Sequence, residues 1–340
     1  MQKILLISLL LLSKLAFNLI KFILNDNYRN QTGLHYIPKT IASNHSRLVV
    51  SSLAGHYRVV EKGDVLISEV LFNPKSGGVD FVEIYNHSGH DIDLKELQLG
   101  NLNAAGLAAS IKNISSARHM IAPGSYWVIS TNSENIRQNY EVKYPNQLIQ
   151  LSSLPAYGNE KGNVVLLSGG QIIDQLNYTS KIHHPLLRNE DGISIERVSF
   201  DVDANAQGNF KSAAANIGFA TPTYKNSQML VSNENSVKLS SKTFSPDGDG
   251  YEDLLLVNYQ LDNHAKLANI NIYSNQGKLV RKLCQNQTIA TEGRFIWDGL
   301  NERGELSAVG IYVVVFECFD LSGQVKKFKN TCVLAMKLND

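Results

Sequence analysis

The sequence predicts an all-β chain with two β-sandwich domains in tandem after an N-terminal signal-like segment. Three observations predict it. Short runs rich in β-branched and aromatic residues recur along the chain, each bounded by Gly, Pro or Asn. A single stretch, SENIRQNY from Ser133 to Tyr140, reads as a helix, with Ser133 as its N-cap. The start, MQKILLISLLLLSKLAFN, places Lys3 before an apolar run from Ile4 to Leu12. At 340 residues the chain is long enough for two separate cores.

The apolar run at the start is shorter than the roughly 20 residues that span a bilayer. Residues 1–24 therefore read as a signal peptide, or as an uncleaved anchor over Ile4 to Leu24. Residues 25–62 show no sustained period and read as a linker or remnant strands. From Gly63 the strand signature begins. DVLISEVLFNP and DFVEIYNHS come first, followed by ELQLGN, SYWVIST, GNVVLLSGG, QIIDQLNY and ISIERVS. The turn Gly169–Gly170 makes VVLLSGGQIIDQL a hairpin. This first sandwich is expected over 63–226, with a linker at 227–235. A second sandwich is expected over 236–340, from SVKLSSKTF, LLLVNYQL, LANINIYSNQGKLVRKL, GRFIWDG, GIYVVVFECFD and QVKKFKNTCVLAMKL. Trp127 and Trp297 are expected in the two cores, with an exposed contact role as the other reading of Trp297.

Particular residues carry a resemblance. GDVLISEVLFNPKSGGVDFVEIYNHSGHDIDLKELQLGN resembles the opening of bacterial lamin-tail domains of the Bacteroidetes type. The matching elements are Ile67 to Val70, Asp80 to Asn86, and Asp93–Leu94. FKSAAANIGFATPTYKNS is similar to the family's closing pattern, with Phe210 where that pattern has Trp and Thr223 where it has Gly. The C-terminal part resembles the immunoglobulin-like domain of the flagellar hook-capping (FlgD-like) family and gliding-motility-associated C-terminal modules. The matches there are FSPDGDGYED, NIYSNQGKLVRKL, FIWDGLNERGE and VGIYVVVFE. The resemblance implies that both sandwiches are immunoglobulin-like, the lamin-tail part without known catalytic residues. It further implies a C-terminal domain of the kind that sorts type IX secretion cargo.

The chemistry expected from the residues is sparse. Basic and acidic residues nearly cancel, 32 against 31, so no nucleic-acid partner is expected. Cys284, Cys318 and Cys332 form no CxxC pair, which argues against zinc and for buried thiols, with a Cys318–Cys332 bridge left open. The loop FSPDGDGYED has the spacing of a calcium loop: Asp247, Asp249, the carbonyl of Tyr251, and Asp253, with Gly250 permitting the sharp turn. Ser245 is a weak first ligand and Leu256 stands where an acidic twelfth residue would complete the set. The other reading is a Pro-Asp-Gly turn whose Asp side chains bond backbone amides. Asp201, Asp203 and Asn205 repeat the spacing more weakly.

Glu69 and Glu83 are acids on otherwise apolar strands, Glu69 reading as a face-mate of Ile67 and Leu71. Neighbouring strands would bring the two together, either as a hydrolytic pair or, more commonly, as acceptors for loop amides. His183 and His184 are expected on a surface loop, pointing apart. No nucleophile elbow, HExxH or Walker loop is present; GIY at Gly310 matches the start of a nuclease signature without its partner motif. No catalytic residue is assigned.

The expectation is an exported, non-enzymatic structural or adhesive protein of the cell surface, with periplasm as fallback, calcium as its only cofactor, and a surface protein or polysaccharide as partner. A membrane would be met only through the N-terminal segment. The alternative is an accessory binding module of a hydrolase, with carbohydrate or nucleic acid as ligand.

Overall fold

The computed structural model describes residues 60–231, 234–264 and 266–336. The expected leader over 1–24, and 25–62 apart from its last residues, lie outside them. Among the described residues no helix is long and apolar enough to cross a membrane.

The structure is all-β. In the first half the strands are β1 (Val65–Leu71), β2 (Phe81–Asn86), β3 (Ile92–Asp93), β4 (Leu97–Leu102), β5 (Ala108–Asn113), β6 (Met120–Ile121) and β7 (Tyr126–Ser130). After helix α1 (Ser133–Asn139) come β8 (Leu148–Gln150), β9 (Lys161–Ser168), β10 (Gln171–Thr179), β11 (Ile195–Arg197) and β12 (Phe210–Ser212). A six-stranded sheet in the order β12-β11-β1-β2-β7-β8 faces a four-stranded one, β10-β9-β4-β5. The β9–β10 turn is Gly169–Gly170, both at positive φ, which is why that position takes glycine twice. Val65, Ile67, Val82, Ile84 and Trp127 meet Leu97, Leu99, Val164, Leu166 and Leu176 between the sheets.

The outer face of the six-stranded sheet is covered as well. Helix α1 brings Ile136, and the chain beyond β12 brings Ala220, onto Leu71, Phe81 and Val128. Every residue of β1 is consequently buried, which explains why apolar residues occur on both of its faces. The N-cap of α1 is Asn132, not Ser133: Asn132 Oδ1 accepts the amide of Asn135 at 3.0 Å, while the Ser133 amide is bound by Gln150. Arg197, 2% exposed, crosses the first core to Asp174 at 2.8 Å. Its other nitrogens reach the carbonyls of Ser199 and Val202, so the buried charge is fully solvated by the protein.

The second half holds β13 (Ser236–Leu239), β14 (Thr243–Phe244), β15 (Leu255–Gln260), β16 (Lys266–Ser274), β17 (Leu279–Ile289), β18 (Glu292–Trp297), β19 (Gly310–Phe319) and β20 (Val325–Leu334). Sheet β13-β15-β18 faces sheet β14-β20-β19-β16-β17. Trp297 is fully buried between Phe244 and Tyr312, and its Nε1 donates to the Leu300 carbonyl, so the exposed-contact reading does not hold. All three cysteines are buried free thiols. Cys318 faces Lys326 and Cys332 faces Tyr312 across the β19–β20 pair, so the open Cys318–Cys332 bridge does not form. Burial pushes the Cys284 and Cys332 thiols up to about 11.

The first residues of the expected 227–235 linker are structural. Ser227 and Gln228 are buried, and the Ser227 carbonyl accepts the amide of Thr291 at 2.9 Å. Asn216 donates to the Tyr259 hydroxyl and accepts the Ala290 amide, each at 2.9 Å; the Ala215 amide donates to Thr288. Lys225 pairs with Glu292 at 2.9 Å. Segment 213–229 thus covers the first sandwich and fastens the second to it.

Candidate functional site

Under that segment lies the most unusual chemistry of the molecule. Register places Glu69 of β1 directly between Glu83 of β2 and Glu196 of β11. A bulge between Ile67 and Glu69 sets the faces: Ile67 turns into the first core, and Glu69 turns outward with Leu71. The expected face-sharing of Glu69 with Ile67 is corrected by this bulge, which inserts Ser68 and breaks the period of two. All three carboxyls are fully buried.

Loop donors meet each of them. Glu69 Oε1 accepts from the Ser194 hydroxyl and from the Thr221 amide at 2.9 Å. Glu83 Oε2 accepts the Thr223 amide at 2.6 Å. Glu196 accepts the Ser227 hydroxyl at 2.7 Å, the Gln228 amide at 3.1 Å and the Thr221 hydroxyl at 2.8 Å. The Thr221 hydroxyl also lies 3.2 Å from Glu69 Oε2. Its one proton serves one carboxyl, so the other must donate to it. Burial and the neighbouring Glu196 raise Glu69 to about 8, which makes Glu69 the protonated partner at neutral pH. Burial, then Glu69, raises Glu83 well above the ordinary range. Burial raises Glu196 too, but its three donors make it the one best able to hold the charge.

Chain geometry supports the arrangement at some strain. Thr223 has φ +74°, a left-handed conformation that a β-branched residue adopts only at a cost. It occupies the position where the resembled closing pattern has Gly. Its amide reaches Glu83 and its hydroxyl accepts the Tyr144 amide at 3.0 Å. Above it opens a cleft lined by Tyr126, Tyr144, Tyr224, Lys143 and Gln147, with the Lys143 ammonium 4.0 Å above the Tyr224 ring.

The acidic loop between β14 and β15 is the opposite environment. Asp247 and Asp249 are exposed and Asp253 half-buried, and one carboxylate oxygen from each lies within 4.8 Å of the others. Asp253 accepts the amides of Gly248 at 2.6 Å and Gly250 at 2.8 Å; Asp249 accepts that of Tyr251 at 2.8 Å. The Ser245 hydroxyl donates to Asp247 at 3.0 Å. The carboxylates thus shape the turn, and they also cluster as an oxygen donor set suited to a hard divalent cation. Three carboxylates alone fall short of a full calcium shell.

The weaker acidic repeat is otherwise engaged. Asn205 accepts the Asn177 amide and donates to the Gln175 carbonyl, pinning β10. His183 and His184, expected on a surface loop, are buried at 4% and 6% exposure. The second sandwich covers that side, which no local pattern announces. ISIERVS alternates like a strand with one wet face, so its pattern does not mark Glu196 as buried.

Residues 59–180, most of the first sandwich, match the Lamin Tail Domain family model. No curated protein matches the chain. Among solved structures it is similar to FLGD from P. aeruginosa, at 17% identity over 29% of this chain and 74% of that one, TM-score 0.22. A DUF4876 family protein from Bacteroides thetaiotaomicron is similar at 12% identity over 49% of this chain and 72% of that one, TM-score 0.28. PorZ from Porphyromonas gingivalis, described as an essential surface component of the type-IX secretion system, is similar at 14% identity, TM-score 0.24. That match covers 78% of this chain, which spans 38% of PorZ.

Proposed function

We propose that the protein is an exported, non-enzymatic structural or adhesive module of the cell surface, its second sandwich serving also as a sorting domain of the type IX kind. The observation that carries this reading is the enclosed carboxyl cluster. Glu69, Glu83 and Glu196, the acids best placed for chemistry, are spent on holding segment 213–229. A hydrolytic pair needs an open cleft with room for substrate or water between its carboxyls. The accessory-module reading loses its motivating pair in this way. What the cluster does supply is a firm joint between two sandwiches, the property an adhesive or display module needs. A surface polysaccharide or protein is the partner class, with the tyrosine-lined cleft as its site: aromatic faces suit sugar rings, and Lys143 and Gln147 supply polar contacts. Calcium belongs to this reading as a stabiliser of the Asp247–Asp253 loop in an ion-rich medium.

Fractionation of the native host, with mass spectrometry of both termini, tests the proposal. Recovery from the surface or medium with a processed N-terminus is the expected outcome. Recovery only from the cytoplasm with both termini intact overturns it.

A further inference from the structure

His183 and His184 sit where the two sandwiches meet, in a cavity of about 200 Å³. Lys181, Lys211 and Ser212 line it from the first sandwich and Thr288 from the second. Ser212 Oγ accepts the His184 amide at 2.9 Å and lies 3.0 Å from His183 Nδ1, to which its hydroxyl can donate. In that tautomer His183 is protonated on Nε2, a buried nitrogen with no hydrogen-bond partner among the described residues. Thr288 Oγ1 accepts the Ala215 amide, which keeps its own hydroxyl proton available.

His183 Nε2 and the Thr288 hydroxyl can each donate, Lys181 and Lys211 line the same cavity, and no carboxylate is among its described lining residues. That donor set favours an anion with several acceptor oxygens. An uncompensated buried N–H is costly and wants such an acceptor. We propose that this junction cavity binds a tetrahedral oxyanion, phosphate or sulfate, either free or as the ester group of a glycan. Because the lining comes from both sandwiches, the bound anion would also clamp them together. Burial holds His183 down at about 4, so it remains a neutral donor near pH 7.

The test uses the full chain, with thermal melts and imidazole NMR in inorganic phosphate, inorganic sulfate or a sulfated disaccharide, against chloride at equal ionic strength. Saturating oxyanion should raise the midpoint by about 3 °C and move the His183 ring resonances. The Lys181→Gln/Lys211→Gln double variant, altered only at an exposed and a half-buried lysine, should fold normally and lose both responses. Equal affinity for inorganic sulfate and the disaccharide assigns the free ion; binding about tenfold tighter by the disaccharide, some 1.4 kcal/mol, assigns the ester. No movement of His183 in millimolar oxyanion, or an equal response in the double variant, overturns the proposal.

Discussion

The molecule carries two groups of three acids, and they behave oppositely. Glu69, Glu83 and Glu196 lie on neighbouring strands under a covering segment, shielded from bulk solvent. Asp247, Asp249 and Asp253 lie on one exposed turn. Both groups accept backbone amides. In the buried group like charges cannot coexist, so protons replace charge and the carboxyls become rigid hydrogen-bonding parts. In the exposed group water screens the repulsion, the charges persist, and a cation can be recruited. Composition is the same in kind; desolvation decides whether three acids become a joint or stay charged.

Removing a buried acid should do the most damage. Glu196→Ala removes the buried acceptor that the Ser227 hydroxyl and the Gln228 amide use, leaves the Thr221 hydroxyl only its longer contact to Glu69, and opens a cavity, so denaturant unfolding should show a loss of about 3–5 kcal/mol. Asp249→Ala in chelator should leave the denaturation midpoint nearly unchanged. Equal losses from the two would erase the distinction.

A pH series sharpens it. Between 4.5 and about 8 folded Glu69 holds a proton that the unfolded chain has released, so stability falls as pH rises and that contribution is gone above about 8. Glu83 acts in the same direction. His183, held near 4 against an ordinary 6.5, acts oppositely below 6.5: there the unfolded chain takes the proton and stability falls as pH falls. From pH 6.5 to 8 the wild type should lose about 2 kcal/mol through Glu69, and Glu69→Gln should flatten that slope.

For the exposed group, millimolar calcium should raise the melting midpoint by about 3 °C over chelator, and Asp249→Asn should abolish the rise. An unshifted wild-type midpoint means the loop is only a turn. The smallest effect concerns Thr223. Gly relieves the strain of φ +74° but loses the acceptor for the Tyr144 amide, so Thr223→Gly should raise stability by no more than about 1 kcal/mol. A loss beyond about 2 kcal/mol would show the threonine to be unstrained.

The strands were legible because most have one apolar face, and GGQ, PDGDG and similar turns punctuate them. The exposed acidic loop was legible for the same reason: its ligand spacing is local, and the structure does cluster Asp247, Asp249 and Asp253. The buried cluster was half legible. Glu69 and Glu83 stood out against apolar neighbours, but the bulge at Ser68 reversed the face assigned to Ile67. Glu196 looked like a solvated strand residue, because what buries it arrives from residues 221–228. The burial of His183 and His184 likewise depends on a second domain packing beside them. Asn132 took the cap from Ser133 because its side chain reaches the Asn135 amide. In each case the missing information was a tertiary neighbour or a one-residue irregularity, which periodicity does not encode.

The most direct measurement is a carbon-13 NMR titration of the glutamate side-chain carboxyls in the full chain, assigned with Glu69→Gln. We expect the resonance missing from that variant to titrate near pH 8, displaced far above the ordinary glutamate range. A midpoint near 4.5 for that carboxyl would mean that Glu69 is charged and hydrated at neutral pH, and would contradict the buried, proton-held joint.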